Sequence, residues 1–176
     1  MGQIGVAGAG AQQGAQVVTL GKALLFPSAV VALGDLGDGL STEVWWSPWH
    51  PFTSSLTHQS AKALADAYEA NTRKQWTQPI GFAHALFEVA AAALSKARSP
   101  GAKDVRDAVV GTQVSTVVGP VKFGGQGSFK NISKTPLVLG QWSKGKKYKY
   151  ELTIVNSEDA RKNGFNIPVG GTLKLI

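Results

Sequence analysis

Cysteine is absent from the 176 residues of this sequence, and histidine occurs only three times. Without cysteine the chain cannot form a disulfide scaffold, a cysteine-ligated zinc or iron–sulfur centre, or a thiol nucleophile. The three histidines, His50, His58 and His84, form no His-Glu-x-x-His motif, and the first two are too far apart to bind one metal ion from a single helix. We therefore expect neither a metal site nor a cofactor.

Long apolar runs are also missing. No run approaches the roughly 20 apolar residues that a membrane-spanning helix needs, so we expect a chain that does not cross a bilayer. The amino-terminal string MGQIGVAGAGAQQG lacks the basic and apolar segments of a secretory signal peptide. If the protein works outside the cytoplasm, we expect an upstream segment to direct it there.

The motifs of common enzyme classes are absent or incomplete. The glycine-rich string at positions 8–14 does not have the spacing of a dinucleotide loop, and there is no Gly-x-x-x-x-Gly-Lys phosphate loop. Asp35 and Asp38 lie among glycines without the further acidic ligands of a calcium loop. No serine stands in a Gly-x-Ser-x-Gly elbow. We expect a protein that is not an enzyme.

Positive charge is concentrated in the carboxyl-terminal part of the chain. Residues 1–100 contain six Lys or Arg and six Asp or Glu, whereas residues 101–176 contain twelve and five. The densest cluster consists of Lys144, Lys146, Lys147 and Lys149. Such a cluster is most often a solvated face, and the alternatives are binding to phosphates or to an anionic membrane.

The hydrophobic content of 43 % is typical of one globular domain or of part of a larger one. Periodicity predicts helices over residues 28–33, 60–72, 82–97 and 102–110, and strands over residues 16–20, 40–46, 114–123, 136–141 and 148–155. This interleaving indicates an α/β fold with a mostly parallel sheet. The helix over 82–97 is apolar on nearly every face, which predicts burial on several sides. With so few strands, the chain is typical of part of a larger fold.

Four aromatic residues, Trp45, Trp46, Trp49 and Phe52, lie around two prolines where the chain is predicted to change direction. Tryptophans at a junction between lobes can line an apolar ligand cleft. Ordinary core and hinge packing would explain them equally well, and the sequence leaves both interpretations open.

Six strings, taken in order, resemble the second half of a type I periplasmic binding protein. They are KALLFPSAVVALGDLGDGLSTEVWWSPWHPF, QPIGFAHALFEVAAAAL, TVVGPVKF, PLVLGQW, KYKYELTIV and NIPVGGTLKLI. The branch they resemble most is the branched-chain amino acid (Leu/Ile/Val-type) substrate-binding proteins of ABC transporters. The resemblance implies a two-lobe α/β architecture, with parallel sheets flanked by helices, of which this chain carries an incomplete carboxyl-terminal portion.

The resemblance also divides the chain. Residues 1–16 are expected to be a loose lead-in, 17–48 a segment of the second lobe, 49–131 a segment of the first lobe, and 132–176 the return to the second lobe with the carboxyl-terminal tail. Because both lobes are incomplete, the chain is expected to be capable of self-association.

The implied function is that of a substrate-binding component of an ABC importer, acting in the periplasm or outside the cytoplasm. The ligand would be a branched-chain amino acid or a related small organic or aromatic acid, held between two lobes, and the protein partners would be ABC permease subunits rather than nucleic acid. One alternative is a ligand-sensing receptor domain of the same fold. Another is a basic protein that binds nucleic acid through residues 144–150, where Lys and Tyr alternate.

Two positions take a ligand-binding role from the resemblance. His84 matches a position, often aromatic, that faces the ligand from the first lobe. Lys22 matches a position that is acidic in amino acid binders, where it pairs with the α-amine. An ammonium group at Lys22 would repel an amine and attract a carboxylate, which favours an acid without an amine. Further candidate ligand neighbours are Trp45, Trp46, Gln78, Pro79 and Phe82.

Overall fold

The computed structural model describes residues 14–123, 129 and 131–176. In chain order, the elements are α1 (Pro27–Ala32), β1 (Ser41–Val44), α2 (Ala61–Thr72), α3 (Pro79–Lys96), α4 (Ala102–Val110), β2 (Gln113–Thr116), β3 (Gly119–Lys122), β4 (Val138–Lys144), β5 (Tyr150–Asn156) and α5 (Glu158–Lys162). The four predicted helices are confirmed. The short α5 was not predicted, because five residues carry too little periodicity to be recognised.

The chain forms two compact units. The first comprises the described residues up to Trp45 together with Arg73–Gln78 and Leu137–Ile176, and the second comprises Trp46–Thr72 and Pro79–Pro136. These units divide at 45/46 and 136/137, and the lobe boundaries at 48/49 and 131/132 stay predictions. The excursion of 73–78 back to the first unit was not predicted. Most of the predicted lead-in lies outside the described residues.

The sheet of the first unit has the strand order β1-β4-β5, and both pairs are antiparallel. The prediction of a mostly parallel sheet is therefore wrong for these strands. Strands β4 and β5 are joined by the short basic turn, which can only reverse the chain, whereas a parallel pair needs a long crossover. A parallel contact is present as an isolated bridge between Thr19 and Ser41.

Large side chains on one face of the β4–β5 hairpin form the core of the first unit. Trp142 and Tyr150 are buried. Trp142 donates its indole N–H to the carbonyl of Leu24 at 3.3 Å, and the Tyr150 hydroxyl donates to the carbonyl of Gly34 at 2.6 Å. Each polar group of these aromatics thus has an acceptor, so the rings can be buried without an orphaned donor.

The second unit contains α2, α3, α4 and the antiparallel hairpin β2–β3. The sequence predicted one strand over 114–123, and this is wrong because the chain reverses at Val117 and Val118. The Thr116 hydroxyl donates to the carbonyl of Gly119 at 2.7 Å, and Gly119 has a φ of 109°, a conformation that glycine adopts without strain. The residues around this turn are mostly β-branched, which is typical of a continuous strand, so the sequence pattern did not indicate the turn.

Helix α3 is buried along one side only. Gly81, Ala85 and Glu88 lie on the buried side, whereas Leu86 and Phe87 are each 71 % exposed. The prediction of burial on several sides is therefore wrong for the part of the chain that the structure describes. No helix of the described residues is long and apolar enough to span a membrane.

The carboxylate of Glu88 on α3 is buried and accepts three hydrogen bonds. Its Oε1 accepts from the backbone N–H and the hydroxyl of Ser55 at 2.6 and 2.9 Å, and its Oε2 accepts from the N–H of Val117 at 2.9 Å. One side chain thereby connects α3, the loop before α2 and the β2–β3 turn. Burying a carboxylate is tolerated only when such bonds replace its hydration.

His50 in the second unit is a second buried titratable group, 3 % exposed. Its Nδ1 lies 2.8 Å from the Ser47 hydroxyl, and its Nε2 has no hydrogen-bond partner among the described residues. Burial lowers the pKa of His50 from 6.5 to about 4, against the opposing effect of a hydrogen bond with the backbone of Ser47. The imidazole is therefore neutral at pH 7.

Replacing Glu88 with alanine is expected to lower the free energy of unfolding by about 3 kcal/mol, because it removes the acceptor of the buried N–H of Val117 and of both Ser55 donors. Asp66→Asn is the matched control, since this helical carboxylate is exposed and its loss should cost less than about 1 kcal/mol. Urea unfolding of the three proteins measures both effects. Equal stability of the two variants would contradict the role of Glu88.

The neutral His50 is expected to make the protein less stable in mild acid. Above pH 6.5 the His50 ring is mostly neutral in both the folded and the unfolded protein. Between pH 6.5 and 4 the ring binds a proton in the unfolded protein but not in the folded one, so the free energy of unfolding falls as the pH is lowered. The full effect is about 3 kcal/mol. Urea unfolding at pH 7 and pH 4 should show a smaller pH difference for His50→Gln, whereas a slope unchanged from the parent would refute this assignment. His58→Asn is the control with an exposed histidine.

Candidate functional site

The seven predicted ligand-binding residues divide between the two units. Lys22, Trp45 and Gln78 belong to the first unit, and Trp46, Pro79, Phe82 and His84 belong to the second.

In the first unit the three predicted residues meet at the end of β1. The ammonium nitrogen of Lys22 lies 5.4 Å from the centre of the Trp45 ring, within the range of a cation–π interaction. Gln78 is buried, accepts from the N–H of Trp45 at 2.8 Å and donates to the carbonyl of Glu43 at 3.1 Å. Gln78 therefore fixes the backbone beside Trp45, while Lys22 keeps an exposed charge next to the ring.

In the second unit, Trp46 is a core residue. Its side chain is fully buried, and its indole lies against Gly81 of α3 so closely that a Cβ at position 81 would overlap the ring. For Trp46, packing is the better of the two interpretations that the sequence left open. Pro79 begins α3, where its missing N–H leaves no intrahelical bond unmade, and Phe82 and His84 follow as half-buried residues.

Two serine–histidine pairs lie in the second unit, Ser47 with His50 and Ser54 with His84. The Ser54 oxygen lies 2.7 Å from Nε2 of His84, but it also accepts two backbone N–H groups and is 2 % exposed. An activated nucleophile needs a reachable oxygen with a free lone pair, and Ser54 has neither. This pair is a structural contact. No local pattern in the sequence indicates Ser54, because it lies thirty residues from its partner.

A cavity of about 270 Å³ lies in the first unit. It is lined by Thr19, Glu43, Leu137, Val138, Leu139, Asn156, Ser157 and Asp159. None of the predicted ligand-binding residues lines it, although Glu43 is bonded to Gln78 through its backbone. Its walls come from four separate segments, and no local motif in the sequence could have indicated it.

The basic cluster of the β4–β5 turn does not present a row of free aromatic rings. Lys144 lies 3.4 Å from Asp35, and this hydrogen-bonded partner raises the pKa of Lys144. Tyr150 is buried with its hydroxyl bonded to Gly34. Base stacking needs an exposed ring, so the alternation of Lys and Tyr does not form a stacking surface at Tyr150. Among the described residues there is no group of three potential metal ligands.

Comparisons with known proteins identify the fold. A scan against protein-family models finds no match, and a search of curated proteins finds no relative. Among solved structures, the chain is similar to a leucine-binding protein from Thermotoga maritima, with a TM-score of 0.66 and 14 % identity over 89 % of this chain and 42 % of that one.

Two further similar structures differ in what they bind. One is a leucine-, isoleucine-, valine-, threonine- and alanine-binding protein from Brucella ovis, with a TM-score of 0.58 and 18 % identity over 83 % of this chain and 37 % of that one. The other is a solute-binding protein of an ABC transporter from R. palustris in complex with benzoate, with a TM-score of 0.54 and 17 % identity over 84 % and 38 %.

These neighbours are binding proteins and not enzymes, and the one from R. palustris belongs to an ABC transporter. The chain spans about two fifths of their length. At these identities the likeness concerns the fold, and the predicted resemblance is confirmed at that level. The chain has the fold of an incomplete portion of a type I periplasmic binding protein, like that of branched-chain amino acid binders.

Proposed function

We propose that this chain is a ligand-binding component, or a part of one, of an ABC importer for amino acids or related small organic acids. The observation that carries the proposal is its fold likeness to the leucine-binding protein over 89 % of the chain. The setting would be the periplasm or another extracytoplasmic space, and the protein partners would be the permease subunits of the transporter.

The ligand class follows from what the neighbours bind and from Lys22. Leucine and benzoate, named for two of the neighbours, both carry a carboxylate. In this chain the ammonium group of Lys22 beside Trp45 supplies a positive charge next to an apolar ring. Such a pair suits an acid with an apolar body, and it repels an α-amine. We therefore favour an aromatic acid or a keto acid over an amino acid.

In the second unit, the residues that we propose for ligand contact are Pro79, Phe82 and His84 on the first turns of α3. Phe82 and His84 are half-buried, so each keeps surface for a ligand. Trp46 and Gln78 remain in the proposed set as supporting residues, because their contacts hold Gly81 and Trp45 in place.

Changing Lys22 to glutamate is expected to weaken benzoate binding by at least tenfold, about 1.4 kcal/mol, because it replaces an attractive charge with a repulsive one. Lys146→Glu is the matched control, since it makes the same charge change in the same unit on an exposed lysine of the basic turn. Titration calorimetry with benzoate, leucine and the keto acid of leucine measures the affinities.

Two results separate the parts of this proposal. If none of the three acids binds and none raises the melting temperature, the proposed function is wrong for this chain. If benzoate binds and both lysine variants bind it equally well, the ligand-binding function stands and the role of Lys22 is wrong. A ligand at about 100 times its dissociation constant adds about 2.7 kcal/mol of stability, which a thermal melt detects.

A further inference from the structure

The hydroxyl of Ser54 has three hydrogen-bonding neighbours. Its oxygen lies 3.2 Å from the backbone nitrogen of Leu56, 3.1 Å from that of Thr57 and 2.7 Å from Nε2 of His84. A serine hydroxyl has two acceptor lone pairs and one hydrogen to donate. The two N–H groups can only donate, so they occupy both lone pairs, and the remaining hydrogen is directed to His84.

The burial of Ser54 also indicates that its hydroxyl donates to Nε2 of His84. Ser54 is 2 % exposed, so water does not offer an alternative acceptor, and the nearby acceptor is Nε2 of His84. If Nε2 carried a proton instead, three donors would converge on one oxygen and the Ser54 hydrogen would be buried without a partner. Leaving a buried donor unpaired costs about 1–3 kcal/mol. Nε2 is therefore the acceptor, and the neutral ring carries its proton on Nδ1.

The loop that carries Ser54 is itself held firmly against α3. The N–H of Ser54 donates to the carbonyl of Gln59 at 2.9 Å, and the next residue, Ser55, is bonded twice to Glu88. His84 and Glu88 are one helical turn apart, so two consecutive serines fix two consecutive positions on one face of α3. This arrangement sets both the orientation and the tautomer of the His84 ring.

We propose that Ser54 is a positioning residue that holds His84 in the Nδ1–H tautomer, so that the ring offers a ligand a hydrogen-bond donor and selects an oxygen acceptor such as a carboxylate. Nδ1 makes no hydrogen bond with any residue in the described ranges, and the ring is half-buried. The ligand part of this inference rests on the proposed function. The tautomer part stands on the geometry of Ser54 alone.

The tautomer is measured on the full chain labelled with ¹⁵N-histidine, by long-range ¹H–¹⁵N correlation at pH 8, with the His84 signals assigned from a His84→Gln variant. We expect protonated Nδ1 and unprotonated Nε2 in the parent protein. A proton on Nε2 of His84 in the parent protein would overturn the proposal directly.

Two serine variants then test the role of Ser54. In Ser54→Ala the fraction of the Nδ1–H tautomer should fall, because the donor to Nε2 is lost. Ser60→Ala is the matched control: Ser60 caps the first turn of α2 through the N–H of Ala63, and its loss should leave the His84 tautomer unchanged. A folded Ser54→Ala protein that keeps the parent tautomer would show that Ser54 does not set it.

The ligand arm compares benzoate with benzylamine, which keeps the aromatic ring and replaces the acceptor with a cation. Benzoate should shift the Nδ1 resonance of His84, and benzylamine should bind at least tenfold more weakly. If benzoate changes other resonances but not this one, the ligand role of His84 is wrong while the proposed function stands. If benzoate, leucine and the keto acid of leucine all change no resonance, the proposed function and the ligand role of His84 both fail, and the tautomer result is unaffected.

Discussion

The buried carboxylate of Glu88 is the interaction on which the second unit depends. A carboxylate inside a protein is unfavourable unless its oxygens are hydrogen-bonded, and here the bonds come from Ser55 and Val117. These residues belong to a loop and to a hairpin turn, neither of which has a regular ladder of its own at that point. The helix therefore supplies, through one side chain, the acceptors that two irregular segments need. Their positions are set by hydrogen-bond geometry rather than by shape alone.

In the first unit, amide side chains likewise form hydrogen bonds with the backbone of irregular segments. Gln141 on β4 donates to the carbonyls of Gly39 and Lys174 at 2.8 Å and accepts from the N–H of Lys174 at 2.9 Å. It thereby holds the carboxyl-terminal segment against the sheet without adding a strand. Gln78 does the same for the end of β1. Long polar side chains that bond to backbone groups can order segments that lack regular secondary structure.

The parts of the fold that depend on short-range periodicity could be predicted from the sequence, and the parts that depend on long-range pairing could not. The helix at Ala61–Thr72 follows from apolar residues at helical spacing. The hairpin of β2 and β3 was missed, because a β-branched run has the same composition whether it continues or turns. Parallel or antiparallel pairing depends on which strands become neighbours, and the pattern within a strand does not encode that choice.

The candidate site shows the same limit. Lys22 and His84 could be named from resemblance, but nothing local indicated that Ser54 would bond to His84 or that Gln78 would bond to Trp45. The cavity beside Glu43 is also formed from segments that are distant in sequence. Residue type and local spacing suggest a role, whereas the partner that fixes the protonation or orientation of a group is determined by the tertiary fold.

The contact between Trp46 and Gly81 has a consequence for the evolution of this chain. Glycine inside a helix normally costs about 1 kcal/mol relative to alanine, so drift alone would tend to replace it. Here the indole of Trp46 occupies the space that a Cβ at position 81 would need. The two positions are therefore not independent: among related sequences, a larger residue at 81 requires a smaller one at 46, and the pair should covary.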